Sequence, residues 1–352
     1  MDLSMLPLYL GFLLAAYSVV GNDVIQTLGT FLASNEKRPW YVLWAFAGSI
    51  LAFALIYGYV NADIDYGRLD KINIPDSLSW WYVLPPFILL FITRLGIPVS
   101  TTFLILTFFS AKSLPGMLNK SLMGYLIAFG AALVIYLLIS NFFEKRFLTR
   151  KLGSDNSLWT NRTFWTGAQW FSTGFLWYQW LTQDLANIYV YLLAGKGGTG
   201  NLDVYTFAFS LIAILSLLAF IFYKRGGKIQ AIVDAKTNTA DIRSATFVDL
   251  IYGVVLWIFK YNALGLWEAK LPMSTTWVFI GLLAGREIGI RLAMYGKVPG
   301  YNLRNVGSDF LKALSGLVVS IILVVIMCMA QGTTFSGCAD SLKLMEIITF
   351  WK

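Results

Sequence analysis

The 352-residue chain contains no histidine and only two cysteines. The missing histidine excludes histidine general bases, histidine proton relays and histidine metal ligands. Two cysteines alone are too few for a zinc or iron–sulfur site, which usually takes four protein ligands. Cys328 lies in an apolar run. We therefore expect it to be a small buried hydrophobe rather than half of a disulfide with Cys338.

Charge is also scarce. Charged residues make up 13% of the chain and hydrophobic residues 57%, with a mean hydropathy of +0.66. A soluble domain carries about 25% charged residues, so this chain could not cover a water-exposed surface. The composition predicts an integral membrane protein whose apolar surface faces lipid. Nucleic acid is excluded as a partner despite the net charge of +8, because the few Lys and Arg are shared among many loops.

The apolar stretches are of two lengths. A helix needs about 20 apolar residues to cross a bilayer, so stretches of about 13 residues indicate broken or re-entrant helices. The first half contains 3–20 continuing into 22–34, then 40–60, 79–94, 99–111 and 119–142. The second half contains 164–181 continuing into 183–194, then 203–223, 246–267, 273–285 and 309–331.

Two short motifs show that the halves are repeats. Residues 21–26, Gly-Asn-Asp-Val-Ile-Gln, match residues 182–187, Thr-Gln-Asp-Leu-Ala-Asn. Residues 97–102, Ile-Pro-Val-Ser-Thr-Thr, match residues 271–276, Leu-Pro-Met-Ser-Thr-Thr. We predict a first repeat over 1–142, a cytoplasmic linker over 143–163, a second repeat over 164–331 and an extracytoplasmic tail over 332–352.

The distribution of charge in the loops predicts the orientation. Lys and Arg exceed acidic residues in 143–163, 224–245 and 286–308, whereas 61–78 holds four Asp against Arg68 and Lys71. By the positive-inside rule both termini are extracytoplasmic, and each half crosses an odd number of times. The predicted fold is thus an all-α integral membrane protein with inverted-topology repeats, broken helices and two re-entrant helical hairpins. This architecture is typical of secondary transporters.

Asp23 and Asp184 occupy equivalent positions of the repeat in apolar surroundings. A charge at the centre of a spanning helix costs at least about 2.5–3.5 kcal/mol, so each needs a partner. A bound cation such as Na⁺ would supply it, because hard cations prefer oxygen ligands. The amides predicted to complete the two cation sites are Asn22, Gln26, Gln183 and Asn187. The alternative is that each Asp caps a helix that begins there.

The Ser-Thr-Thr triplets each follow a proline and precede an apolar helix. Free N–H groups and partial positive charge at a helix N-terminus, together with three hydroxyls, form a cradle for an anion. Two such cradles on opposed hairpin tips would hold one tetrahedral oxyanion. The alternative is ordinary helix capping by Ser or Thr. The predicted phosphate-binding residues are Ser100, Thr101, Thr102, Ser274, Thr275 and Thr276.

With these motifs in view, the sequence resembles the inorganic phosphate transporter (PiT, Pho4) family of cation-coupled phosphate permeases. Residues 21–31 and 182–192 resemble its Asn-Asp motif, and residues 96–103 and 271–277 resemble its Pro-Val-Ser-Thr-Thr-His motif. The resemblance implies cation binding at the two Asp and their amides, phosphate binding at the triplets, a multi-pass location in the cell membrane and a homodimer. The motif histidines are replaced by Phe103 and Trp277.

From the residues and the resemblance together, we expect Na⁺-coupled symport of inorganic phosphate by alternating access. The expected partners are phosphate, Na⁺ as the coupling ion, and membrane lipid, with no cofactor and no enzymatic activity. Two alternatives remain open at this point. One is a permease of the same fold for sulfate or another tetrahedral oxyanion, and the other is a phosphate sensor that does not transport.

Three further charges lie near the predicted hairpins. Arg94 and Glu268 each precede a triplet serine by six residues, and Lys270 lies closer to the second triplet. Arg94 and Glu268 could pair across the hairpins as a gate, or each could pair locally. Lys270 could assist the anion or extend to the membrane interface. Asp249 and Lys260 lie near segment ends, where we expect them to mark the interface.

Overall fold

A computed structural model describes residues 5–94, 99–139, 157–194, 202–225, 241–265, 267–330 and 334–342. In these ranges every regular element is helical. Most of the predicted linker 143–163 and most of the predicted tail 332–352 lie outside the described residues, as do residues 1–4. The predicted repeat boundaries and the sidedness of the termini stay predictions.

The helices, numbered along the chain, divide into two series of similar order. The first series is α1 Leu6–Ser34, α2 Trp40–Val60, α3 Leu84–Arg94, α4 Thr101–Phe109 and α5 Leu114–Ile139. The second series is α6 Arg162–Asp184, α7 Ala186–Leu193, α8 Val204–Tyr223, α9 Ile242–Tyr261, α10 Thr275–Tyr295, α11 Gly300–Ala330 and α12 Phe335–Ser341.

The two series align helix by helix. The bent helix α1 corresponds to α6 and α7 together, because α1 bends by 54° between Leu6–Val24 and Gln26–Ser34 and α6 and α7 are separated at Leu185. In the same way α2 corresponds to α8, α3 with α4 to α9 with α10, and α5 to α11. The breaks fall beside Asp23 and Asp184, which places both carboxylates where helical order is interrupted.

Within the described ranges, five helices are long and apolar enough to cross a membrane, namely α2, α5, α8, α9 and α11, and the bent α1 would be a sixth. Several of the helices begin after a residue whose side chain satisfies free backbone N–H groups. Asn161, Asp203 and Asp241 precede α6, α8 and α9, and each side chain accepts hydrogen bonds from the first turn of its helix. Such caps replace hydrogen bonds that water cannot provide near a bilayer.

The second hairpin is longer than the sequence analysis predicts. Helix α10 continues ten residues beyond position 285, through Arg286, Glu287 and Arg291, and it ends at Gly296 in the left-handed conformation with φ 66°. Residues 286–308, predicted as a loop, are therefore mostly helical, since α11 already begins at Gly300. The charges end the apolar run but do not break a helix, because Arg and Glu are good helix formers.

A row of glycines brings α10 against α5. Gly281, Gly285 and Gly289 lie four residues apart on one face of α10. A Cβ added at any of them would come less than 3.0 Å from a backbone oxygen of α5, at Tyr125, Phe129 and Leu133 respectively. Such small-residue spacing lets two membrane helices approach closely, so that backbone packs against backbone. This contact fixes α10, and therefore the second Ser-Thr-Thr triplet, relative to α5.

The cysteines differ from the expectation. Cys328 near the end of α11 and Cys338 in α12 form a disulfide, with a Cα–Cα distance of 5.8 Å. The prediction of a free buried thiol at Cys328 was wrong because α11 and α12 are joined by a short connection that brings the two side chains together. The disulfide anchors α12 to the end of α11.

The glycine row generates a prediction. Gly285→Ala should destabilise the protein by about 1–3 kcal/mol, because the new methyl group overlaps the α5 backbone at Phe129. The matched control is Gly130→Ala in α5, where an added Cβ meets nothing within 4 Å. That change should be neutral or stabilise by up to about 1 kcal/mol. Thermal unfolding in detergent checks both, and equal melting temperatures for the two variants would contradict the packing assignment.

Candidate functional site

Asp23 lies where α1 bends, and its side chain is only 1% exposed. One carboxylate oxygen, Oδ1, accepts a hydrogen bond of 2.6 Å from Asn22 Nδ2. The other, Oδ2, accepts one of 2.6 Å from the Thr101 hydroxyl. Asn22 Nδ2 also donates to the backbone oxygen of Val99 at 2.8 Å. Asp23 is thereby joined to the tip of the first hairpin, and it does not cap a helix.

Asp184 is the last residue of α6 and is fully buried. Its Oδ1 accepts hydrogen bonds from Asn187 Nδ2 at 2.9 Å and from the Thr102 hydroxyl at 3.3 Å. The next helix has Leu185 at its N-cap, with no side-chain capping bond. Asp184 therefore does not act as a cap either. The alternative reading of the two aspartates as caps is not what the structure shows.

Thr101 and Thr102 connect the two repeats. The Thr101 hydroxyl donates to Asp23 and accepts from Asn187 Nδ2 at 3.0 Å, so one hydroxyl contacts polar groups from both halves. Asn187 Nδ2 also lies 3.3 Å from the Thr102 oxygen. Residues from α1, α4, α6 and α7 thus form a single buried cluster around the first triplet.

Several buried oxygens of this cluster have no hydrogen-bond donor in the described part of the chain. They are Asn22 Oδ1, Gln183 Oε1, Asp184 Oδ2 and Asn187 Oδ1. The amide orientations follow from the acceptors that their nitrogens contact, which for Gln183 is the Leu256 oxygen at 3.2 Å. Unpaired oxygens of this kind are the ligands that a hard cation takes. Gln26 differs, since its unpartnered atom is the donor Nε2.

The two hairpin tips meet each other. The Thr102 hydroxyl lies 3.2 Å from the Met273 oxygen and shares its one proton between that oxygen and Asp184 Oδ1, and the Thr276 hydroxyl donates to the Val99 oxygen at 3.1 Å. The serines act as helix caps, because Ser100 Oγ and Ser274 Oγ accept hydrogen bonds of 3.2 Å from the amides of Phe103 and Trp277. All six triplet residues are at most 2% exposed.

Two aromatic rings pack at the positions that directly follow the two triplets. Phe103 and Trp277 are buried, and their ring centroids lie 5.5 Å apart in an edge-to-face arrangement. Trp277 also contacts Phe310 at 5.8 Å. These buried rings surround the start of α4 and of α10 with apolar contact directly after the two triplets.

The candidate gate charges lie away from this cluster. Glu268 forms a salt bridge of 3.0 Å with Lys71, and Lys270 pairs with Asp70, so both contact the connection between α2 and α3. Arg94 is exposed at the end of α3. Of the two alternatives for Arg94 and Glu268, pairing with each other across the hairpins is absent from the described residues. Lys270, which the sequence analysis placed beside the second cradle, has a side chain that is 62% exposed.

Several charged residues, among them Arg68, Lys120 and Asp249, are buried where the sequence did not indicate burial. Arg68 and Lys120 are 1% and 2% exposed, and both contact the segment just before the second triplet. Asp249, expected at the interface, is fully buried and accepts hydrogen bonds of 2.5 Å from Thr30 and Thr173. For Lys120, its place at the start of a long apolar run is the feature of the sequence that could have indicated burial. Arg68 lies in an acidic loop, and nothing in its local sequence indicates that it is buried.

The bridging hydroxyl of Thr101 generates a prediction. Thr101→Val should destabilise the protein by about 1–3 kcal/mol, because a buried carboxylate loses a donor, whereas Thr101→Ser should cost less. The matched control on the same helix is Thr107→Val, since the Thr107 hydroxyl is buried and has no hydrogen-bond partner among the residues that the structure describes. Thermal unfolding in detergent gives the order. A Thr107→Val variant as unstable as Thr101→Val would mean that the hydroxyl–carboxylate bond contributes nothing.

The chain was compared with known proteins. No family model matches it, and no curated protein matches it in sequence. A solved structure described as the sodium-dependent phosphate transporter matches with a TM-score of 0.53 and 16% sequence identity, over 99% of this chain and 100% of that chain. At this level of identity the match shows the fold. The chain therefore has, over nearly its whole length, the helical membrane fold of that transporter.

Proposed function

We propose that the chain is a Na⁺-coupled symporter that carries inorganic phosphate across a cell membrane by alternating access. The observation that carries the proposal is the buried cluster in which Thr101 and Thr102 join Asp23 and Asp184. It brings a carboxylate from each repeat to one Ser-Thr-Thr triplet. The likeness to a sodium-dependent phosphate transporter supports it further.

The cation part of the proposal rests on unpaired oxygens. Asp184 Oδ2 and Asn187 Oδ1 come from the second Asn-Asp motif, and Asn22 Oδ1 comes from the first. With the remaining lone pairs of the carboxylates they offer oxygen ligands and no nitrogen or sulfur. This set suits Na⁺, a hard cation that does not need soft ligands. Each bound Na⁺ would compensate a carboxylate that otherwise has only neutral donors.

The coupling of Na⁺ to phosphate follows from threonine hydroxyls that can donate either to a carboxylate or to the oxyanion. Thr101 and Thr102 now donate to Asp23 and Asp184. When Na⁺ compensates a carboxylate, its hydroxyl donor is free to rotate towards an oxyanion. The cation also removes the repulsion between the carboxylate and the anion. Each ligand therefore raises the affinity for the other, which is the reciprocity that symport requires.

The substrate class follows from the donors around the two hairpin tips. Hydroxyls and helix N-termini bind a tetrahedral oxyanion without a cationic side chain in the cradle. Phosphate at neutral pH carries a proton that it can donate to a lone pair of Asp184 Oδ2 that Na⁺ leaves free, and sulfate has none. This acceptor favours phosphate over sulfate.

The hydrogen bonds of Thr102 to Met273 and of Thr276 to Val99 hold the two hairpin tips together, so alternating access requires the tips to separate.

Uptake into proteoliposomes tests the proposal. Purified protein should accumulate labelled phosphate when an inward Na⁺ gradient is imposed, and replacing Na⁺ by choline should abolish accumulation. Unlabelled sulfate should compete poorly, because it cannot donate to Asp184. Phosphate uptake that is unchanged without Na⁺ would contradict the coupling, and stronger uptake of sulfate than of phosphate would overturn the substrate.

The carboxylates should be required for the Na⁺ dependence. Asp23→Asn and Asp184→Asn each remove a negative charge from the proposed cation sites and should abolish Na⁺-driven uptake. The control is Asp249→Asn, which alters an equally buried carboxylate outside the cluster. It should leave the Na⁺ concentration for half-maximal uptake within about twofold, since no ligand is lost. Normal Na⁺-driven uptake by both site variants, with folding confirmed by thermal unfolding, would refute the assignment.

A further inference from the structure

Arg68 is a buried cation with unused donors. It lies on the connection between α2 and α3, and its side chain is 1% exposed. Its Nη1 donates to the backbone oxygen of Ala269 and approaches the oxygen of Leu271 at 3.5 Å. Its Nε and Nη2 contact no acceptor in the part of the chain that the structure describes. A buried charged donor without an acceptor is costly, so such a group indicates a missing partner.

The two unpartnered nitrogens of Arg68 belong to the same edge of its guanidinium group. Nε and Nη2 lie side by side along one edge of the guanidinium, and their N–H bonds are nearly parallel. This edge binds two oxygens of a carboxylate or phosphate at once. Arg243, which is 2% exposed, shows the arrangement in the same protein. Its Nε and Nη2 contact the two carboxylate oxygens of Asp241 at 2.9 and 2.5 Å.

The neighbouring lysine does not compete for the same role. Lys120 donates to the backbone oxygens of Glu268, Ala269 and Leu271 at 2.8, 3.0 and 2.7 Å. An ammonium group has three N–H donors, so these contacts use all of them. Lys120 and Arg68 together hold the same segment of the second hairpin, but only Arg68 retains donors for another molecule.

The position of Arg68 links it to the proposed substrate site. Ala269 and Leu271 lie a few residues before Ser274, whose amide donates to Ser121 Oγ beside Lys120 at 2.8 Å. Burial lowers the pKa of Arg68 to about 10, and the carboxylates of Asp184 and Asp65 counteract that lowering. Arg68 therefore stays charged at neutral pH and lies within the electrostatic range of Asp184, although it forms no salt bridge with it.

We infer that the free edge of Arg68 binds two oxygens of a tetrahedral oxyanion, as a cationic subsite between the second hairpin and Asp184. The inference rests on the proposed function and adds to it a residue that the four motifs do not contain. A cationic partner explains how an anion is held near two carboxylates when the cradles carry only neutral donors. The ligand is the substrate oxyanion itself, for which inorganic phosphate is the probe.

The test is equilibrium binding of labelled phosphate to the purified full-length protein at saturating Na⁺. Arg68→Gln should weaken binding by about ten- to a hundredfold, as expected for lost hydrogen bonds to a charged group. Arg68→Lys keeps the charge and can still donate to Ala269, but it lacks the paired donors, and it should also bind phosphate less tightly. The control Arg243→Gln removes an equally buried arginine whose edge is occupied by Asp241, and it should leave phosphate affinity unchanged.

A second readout separates binding from a structural role. The Na⁺-induced rise in melting temperature, measured without phosphate, should persist in both Arg68 variants. If Arg68 served only as a counter-ion for Asp184, its removal would change the Na⁺ response and leave phosphate affinity intact, which would overturn the inference. If Arg68→Gln does not fold, the phosphate affinity of Arg68→Lys is the test. A phosphate affinity equal to that of the wild-type protein in that variant refutes the subsite. Absence of phosphate binding by the wild-type protein would instead refute the proposed function.

Discussion

Asp23 and Asp184 are carboxylates enclosed in an apolar helical fold, and their need for donors determines how the elements around them meet. Neither carboxylate contacts a lysine or an arginine directly, so their described donors are neutral hydroxyls and amides. Thr101 and Thr102 supply two of these donors from a single hairpin tip. Because both repeats contact that tip, the halves are joined there by polar contacts, and other buried polar contacts, such as Thr30 with Asp249 and Ser121 with Ser274, join them elsewhere.

The interruptions in the helices lie next to the same two aspartates and the two triplets. The bend in α1 and the break between α6 and α7 fall next to the two aspartates, and the triplets begin α4 and α10. At each of these places the backbone has groups that no helix satisfies. Irregular backbone is tolerated at membrane depth only where protein or a polar cavity surrounds it. The four irregular points consequently gather in one place, and that place is polar.

Close packing holds α10, which carries the second triplet, and the segment just before it. Helix α10 is held against the α5 backbone by Gly281, Gly285 and Gly289, and the segment before it is held by Lys120 and Arg68. The first tip is also buried, and it contacts the two aspartates and Asn22 through hydrogen bonds of Thr101, Thr102 and the Val99 oxygen. Hydrogen bonds can exchange one partner for another, whereas a close backbone contact cannot be exchanged without moving a helix. We therefore expect rearrangement at the polar cluster rather than at the glycine row.

The sequence by itself determined the membrane class, the repeat and the two pairs of motifs. These follow from hydrophobic run length and from local patterns such as Asn-Asp and Pro-x-Ser-Thr-Thr, which do not depend on distant contacts. Only the tertiary structure decided that Thr101 joins Asp23 to Asn187, that Glu268 contacts Lys71, that Cys328 meets Cys338, and that Arg68 and Asp249 are buried. Burial and pairing are properties of how distant segments pack, and a charged residue in a loop has the same local sequence whether it faces water or a buried site.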